Sequence, residues 1–154
     1  MKLMVRCAAV LSLMLAWAPA ASAQGWLSMG IAAGVPGANN GGNHVMATLE
    51  VGPTRMPLRF RLDIAAVDYA PSGQRFAQLN ASLLVPFVDR PLAPYLVAGI
   101  AFAPLSRLGS NGYGGEGLRA GVGLRYRVSE RVIFVENAQH WGLNKSLLTF
   151  GVQF

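Results

Sequence analysis

The chain has 154 residues, 53% of them hydrophobic and only 13% charged, with a formal net charge of +6. This length suits one domain, and a single cysteine (Cys7) excludes an internal disulfide and a cysteine metal site. The positive charge could indicate nucleic-acid binding in a cytosolic protein. In an exported protein, acidic lipopolysaccharide or plain chance explains such a charge better, and the positions of the charges matter more than their sum.

The N-terminus has the three parts of a secretory signal peptide. Lys2 and Arg6 give a positive start, an apolar run follows, and Ala-Ser-Ala precedes a small-residue cleavage point. The apolar run is too short for a transmembrane helix, which needs about 20 residues. We therefore predict a cleaved signal peptide at 1–23 and a mature domain at 24–154 that contains no cysteine.

Short alternating segments fill the rest of the chain. Apolar residues alternate with polar or small ones, and glycine, proline, asparagine or serine separates the segments. A period of two is typical of β-strands, whose successive side chains point to opposite faces. The predicted strands are 24–34, 44–51, 58–64, 77–85, 94–103, 118–127, 131–141 and 146–154.

Strands three and six decide what kind of sheet this is. Each has one apolar face, while the other face carries Arg59 and Arg61 in strand three and Arg119 and Arg125 in strand six. In a closed barrel these arginines would line the lumen and pair with acids on facing strands. If the strand register slipped by one residue, each arginine would face lipid. That position destabilises the barrel by about 2–4 kcal/mol per arginine near the midplane. The predicted lumen network is Glu50, Arg59, Arg61, Asp63, Arg119, Arg125 and Glu136.

Other parts of the chain are less decisive. Strand five is apolar on both faces, and strand seven does not fix its own register. The connections after strands two, four and six are predicted as periplasmic turns, and the longest loop is Pro104–Glu116. Aromatic residues near strand ends suggest girdles at the two membrane interfaces. They are Tyr69, Phe87, Tyr95, Tyr126, Trp141 and Phe154.

The last strand is the most characteristic segment. Leu148, Phe150, Val152 and the terminal Phe154 share one face. A chain that closes in this way resembles the C-terminal signal of bacterial outer-membrane β-barrel proteins, and the whole mature chain is similar to small eight-stranded barrels of the OmpA, OmpX and opacity-protein type.

The resemblance implies an all-β fold, namely a closed eight-stranded antiparallel up-and-down transmembrane barrel in the bacterial outer membrane. Its last strand would pair with its first, and barrel-assembly machinery would read Phe150, Val152 and Phe154. Periplasmic chaperones would be partners during biogenesis. Outer-membrane lipid and lipopolysaccharide would surround the folded protein, which we expect to be a monomer.

The first functional hypothesis is a non-catalytic role, either structural or in surface interaction. The Pro104–Glu116 loop, with Arg107, Asn111 and Tyr113, would face lipopolysaccharide or another surface partner. No cofactor, metal ion or nucleic acid is expected. A glycine pattern at 112–117 resembles a dinucleotide-binding loop, but a strand follows it where that motif requires a helix. Side chains fill the interior of an eight-stranded barrel, which argues against an open pore.

Two alternatives remain open. Some eight-stranded outer-membrane barrels are lipid A deacylases, and His140 resembles their base, although the nearest downstream serine is Ser146 and no acid follows Glu136. A serine nucleophile needs a base in reach and a group that orients the base. Otherwise His140 would be an interfacial residue near the outer rim. The other alternative is a soluble periplasmic barrel that binds a small apolar ligand.

Overall fold

The computed structural model describes residues 27–36, 43–52, 58–69, 74–102, 117–141 and 145–154. The predicted signal peptide and the Pro104–Glu116 loop lie outside these residues. Eight strands are formed: β1 (Leu27–Pro36), β2 (Asn43–Val51), β3 (Arg59–Tyr69), β4 (Gln74–Pro86), β5 (Leu92–Phe102), β6 (Gly117–Val128), β7 (Arg131–His140) and β8 (Lys145–Gln153).

The strands form one closed barrel in which each strand pairs with its neighbours in the sequence. The closing contact is antiparallel between β1 and β8, with Ile31 opposite Val152. Beyond β8, Phe154 and Met29 exchange two backbone hydrogen bonds, of 2.7 and 3.2 Å. The predicted eight-stranded antiparallel up-and-down barrel, with its last strand on its first, is confirmed.

Side chains alternate between a buried lumen and an outward apolar wall. The most exposed large side chains on the wall include Phe60, Ile64 and Leu118, each more than 60% exposed. None of the described segments forms a helix long and apolar enough to cross a membrane. The fold thus reverses the usual distribution, since its charged side chains lie inside and its apolar ones outside.

The two registers that the sequence left open are fixed by strand pairing. In β5, Tyr95 and Val97 point inward and Leu96 points outward. In β7, Phe134, Glu136 and His140 point inward. The inward face of β5 is apolar, so the lumen contains small hydrophobic clusters beside its charges.

Strand β3 is longer than predicted, because it continues past Ile64 to Tyr69. The sequence hides this extension because Ala65, Ala66 and Val67 are all apolar, which removes the alternation. In the barrel Ala65 and Val67 face the lumen and pack in an apolar cluster that includes Phe134.

The girdle prediction was wrong for Tyr95 and does not fit Phe154. Tyr95 is 1% exposed because the register of β5 turns it inward, and Phe154 is 8% exposed. Phe87, Tyr126 and Trp141 are exposed near strand ends as predicted. The side chain of Tyr69 lies outside the described part of the structure.

Candidate functional site

The lumen contains all seven charged residues that the sequence assigned to it. Each is at most 9% exposed, and together they join β2, β3, β6 and β7 across the interior. They form two groups, one around Glu136 and Asp63 and the other around Glu50. This arrangement is the candidate functional site of the barrel.

Glu136 is the centre of the larger group. Its carboxylate accepts hydrogen bonds from Arg61 Nη2 at 2.7 and 2.9 Å and from Tyr95 Oη at 2.9 Å. Arg119 Nη2 also donates to it. Three strands of the barrel therefore converge on one carboxylate of β7, which the sequence named only as a lumen residue.

Asp63 shares both arginines with Glu136. Its carboxylate lies 3.1 Å from Arg61 Nε and 3.0 Å from Arg119 Nη1. Arg119 Nη1 also donates to Ser82 Oγ at 3.1 Å. Because acids and guanidinium groups alternate, every charge in this group has a partner of opposite sign.

The second group surrounds Glu50 near the ends of β2 and β6 that the predicted topology places in the periplasm. The Glu50 carboxylate pairs with Arg59 Nε and with Arg125 Nη1, the latter at 3.1 Å. Gln153 Nε2 of the last strand donates to it at 2.7 Å. This group connects β8 to β2, β3 and β6, so it also fastens the closing strand.

The described part of the lumen contains four buried guanidinium groups and three buried carboxylates. Burying one unpaired charge is strongly destabilising, whereas a well-paired set offsets much of that cost. Arg61 also lies over the Phe134 ring, 5.5 Å from its centroid, which is a favourable cation–π distance. The network can therefore fill and brace the interior.

A separate cluster of histidine and uncharged polar side chains, which the sequence did not predict, lies at the end of the lumen opposite the Glu50 group. His44 Nε2 is 2.9 Å from Thr149 Oγ1, and Gln78 Nε2 lies 3.3 Å from His140 Nδ1. These side chains border a cavity of about 10 Å³, room for roughly one water molecule. Because side chains alternate along a strand, the sequence could have placed His44 on the same face as Glu50. The inward position of His140 could be predicted only once the register of β7 was known.

His140 is not an interfacial residue at the outer rim, because it faces the lumen and is 2% exposed. Ser146 lies on the outer side of the wall and donates to Asn137 Oδ1 at 2.6 Å. The two residues of the deacylase-like hypothesis thus occupy opposite faces of the barrel wall. His140 cannot act as the base for a Ser146 nucleophile in this arrangement.

The described side chains also show no other complete catalytic set around the histidines. The buried His44 Nδ1 has no hydrogen-bond partner in the structure, so no carboxylate orients this ring toward Thr149. A hydroxyl nucleophile requires such an oriented base. Within the described ranges, no group of three or more His, Cys, Asp or Glu side chains could hold a metal ion.

No family model and no curated protein matches this sequence. Among solved structures, the N-terminal β-barrel domain of Pseudomonas aeruginosa OprF is similar, with a TM-score of 0.60 and 14% sequence identity. The alignment covers 83% of this chain and 95% of that domain. The chain has the fold of this small β-barrel domain. At this identity the likeness concerns the fold alone.

In this barrel fold, Gly123 makes the room that Tyr95 needs inside the lumen. A Cβ atom at Gly123 would overlap the Tyr95 ring, whose hydroxyl donates to Glu136. We expect Gly123→Ala to lower the free energy of unfolding by about 1–3 kcal/mol, the usual cost of overpacking. Urea unfolding of the barrel in lipid vesicles measures the loss. In a Tyr95→Ala background the same substitution should cost much less, and an equal cost in both backgrounds would contradict this packing.

Proposed function

We propose that this chain is an exported outer-membrane barrel protein with a non-catalytic role in the cell envelope. Its lumen is filled by the charged network, and its wall faces lipid. The role is structural or lies in surface interaction. Residues 1–23 act as the cleaved export signal in this proposal.

The observation that carries the proposal is the reversed distribution of polarity in a closed barrel. In hydrocarbon every backbone donor and acceptor needs an internal partner, and a closed barrel supplies one. The outward faces of β3 and β6 present large apolar side chains such as Phe60, Ile64 and Leu118. Monomeric proteins in water rarely expose a contiguous apolar surface of this kind.

Lumen composition disfavours the soluble ligand-binding alternative. A small-molecule cavity is lined mainly by apolar side chains with a few polar groups. Here Arg61 and Arg119 both donate hydrogen bonds to Glu136 inside the lumen. The described cavity beside His44 and His140 has a volume of only about 10 Å³, far below the several hundred Å³ of ordinary ligand pockets.

The last strand fits a role in assembly. Phe150 and Val152 project from the outer wall, and the backbone of Phe154 bonds to Met29 of the first strand. We propose that these three side chains are recognised by the assembly machinery before closure. Periplasmic chaperones and that machinery would then be transient partners of the unfolded chain.

The surface-interaction part of the proposal concerns the Pro104–Glu116 loop, which lies outside the described residues. Its Arg107, Asn111 and Tyr113 combine a cation, an amide and an aromatic ring. Such side chains suit the phosphate and sugar groups of lipopolysaccharide. An extracellular position is supported by the topology, since β5 ends and β6 begins at the end of the barrel opposite the β6–β7 turn.

Cell fractionation combined with gel mobility tests the membrane location. We expect the full chain in the outer-membrane fraction, and we expect its unboiled form to migrate differently from the boiled form, because a lipid-stabilised barrel resists detergent until heated. Deletion of the terminal Phe154 should reduce the amount that reaches this form. A chain found in the soluble periplasmic fraction, with one mobility before and after boiling, would overturn the proposal.

A further inference from the structure

The described outward faces of β7 and β8 carry a polar patch. Asn137 and Gln139 of β7 and Ser146 of β8 point outward among apolar neighbours, and Gln139 is opposite Ser146 in the β7–β8 pairing. Ser146 Oγ donates to Asn137 Oδ1 at 2.6 Å. We call these three residues the amide patch.

The amide patch lies at membrane depth if the barrel spans the outer membrane, so this inference rests on the function proposed above. Trp141, 58% exposed at the end of β7, fits the outer aromatic girdle. Asn137 precedes it by four residues along the same strand. With a rise of ~3.4 Å per residue and a tilt of ~40°, Asn137 lies ~10 Å below the girdle, inside the ~25 Å apolar band.

An amide in hydrocarbon requires a partner, because no water is available there. Ser146 occupies the Asn137 oxygen, but its hydrogen bond leaves the Asn137 amide protons available for a second acceptor. Gln139 offers both a donor and an acceptor beside it. Between transmembrane helices, hydrogen-bonding side chains of this kind contribute modestly to association, and we apply the same chemistry to the barrel wall.

The chemistry of the patch favours a second copy of the same chain as the partner. Amides both donate and accept, so a two-fold axis would place each amide against its own complement. The flanking outward residues on β6 are Ala120 and Val122, opposite Gln139 and Asn137, and the small Ala120 permits close approach. Lipid phosphates lie at the level of the head groups, whereas Asn137 lies ~10 Å below the girdle, inside the apolar band.

We propose that the β6–β8 wall is a self-association surface, on which two barrels pair in the membrane through Asn137 and Gln139. The two-fold axis passes near the amide patch and brings the two β7 strands together. This assigns a dimer to a chain whose sequence alone suggested a monomer.

Thiol cross-linking tests the surface directly. The mature barrel has no cysteine of its own, so the substitution Ala120→Cys places a single thiol on β6, one strand away from the patch. Because neighbouring strands lie about 4.8 Å apart, the two thiols of the proposed dimer are too far apart for a direct disulfide, and a short bifunctional thiol reagent applied to intact outer membranes should produce a cross-linked dimer. Ile64→Cys is the matched control, since Ile64 is an outward residue midway along β3, on another part of the wall. Equal cross-linking at both sites would overturn the proposal, because it would indicate random collision.

A second experiment removes the amides and keeps the barrel. Asn137→Leu with Gln139→Leu should weaken association about tenfold, from interaction energies typical of polar contacts in membranes, measured by energy transfer between labelled barrels in phospholipid vesicles. Heat-modifiable mobility of the same samples reports insertion separately. Inserted wild-type barrels that remain monomeric, or that associate only when lipopolysaccharide is added, would overturn the dimer but not the membrane location. Failure to insert would overturn both.

Discussion

Glu136→Ala should lower the free energy of unfolding by about 3–5 kcal/mol, the usual cost of removing one partner from a buried ion-pair network. The substitution leaves Arg61 and Arg119 with only Asp63 as a shared anion. Tyr95 loses its acceptor as well. Glu136, Arg61 and Arg119 are at most 3% exposed, so the two guanidinium groups would stay buried with fewer anionic partners.

Urea unfolding in phospholipid vesicles, followed by tryptophan fluorescence and by gel mobility, measures the effect. Glu136→Gln should cost less than Glu136→Ala, since the amide keeps the shape of the side chain and can still accept a hydrogen bond from Tyr95. Glu130→Gln in the exposed β6–β7 turn is the control and should stay within about 0.5 kcal/mol of the parent. An equal loss at positions 130 and 136 would show that the network contributes nothing specific.

The barrel could be predicted because, in each of two strands, the arginines fall on one face and large apolar residues fall on the other. Arg119 and Arg125 in β6, and Arg59 and Arg61 in β3, can share a face only if that face is the lumen or water. The apolar residues between them and the aromatic end of the chain favour the lumen. The same alternation along the strands predicted that Glu50 and Asp63 face the lumen, and both are buried there.

Other features depend on contacts between distant segments and could not be read from one strand alone. In β5 both faces are apolar, so nothing local distinguishes Tyr95 from Leu96. In β7, polar residues fall on both faces, with Glu136 and His140 inside and Asn137 outside. Pairing with β6 and β8 fixes both the inward histidine and the outward amide, and this pairing decides against the His140–Ser146 dyad.

Ile64→Arg should destabilise the barrel by about 2–4 kcal/mol in a bilayer, the cost of an arginine facing lipid near the midplane. Ile64 is 65% exposed and lies midway along β3, between Ala47 and Leu79 on the neighbouring strands. On a protein surface in water the same change at so exposed a position would be almost neutral, within about 0.5 kcal/mol. The size of the effect therefore identifies the solvent around the wall.

Val128→Arg is the matched control for depth, because Val128 is also outward and exposed but ends β6 beside the β6–β7 turn. Near an interface an arginine costs only about 0–1 kcal/mol. A large loss at Ile64 with a small loss at Val128, both from urea unfolding in vesicles, would fit a wall embedded in lipid to the depth that the aromatic girdles suggest. Two small losses would contradict a lipid-facing wall, and two large losses would place the β6–β7 turn deeper than a periplasmic turn can lie.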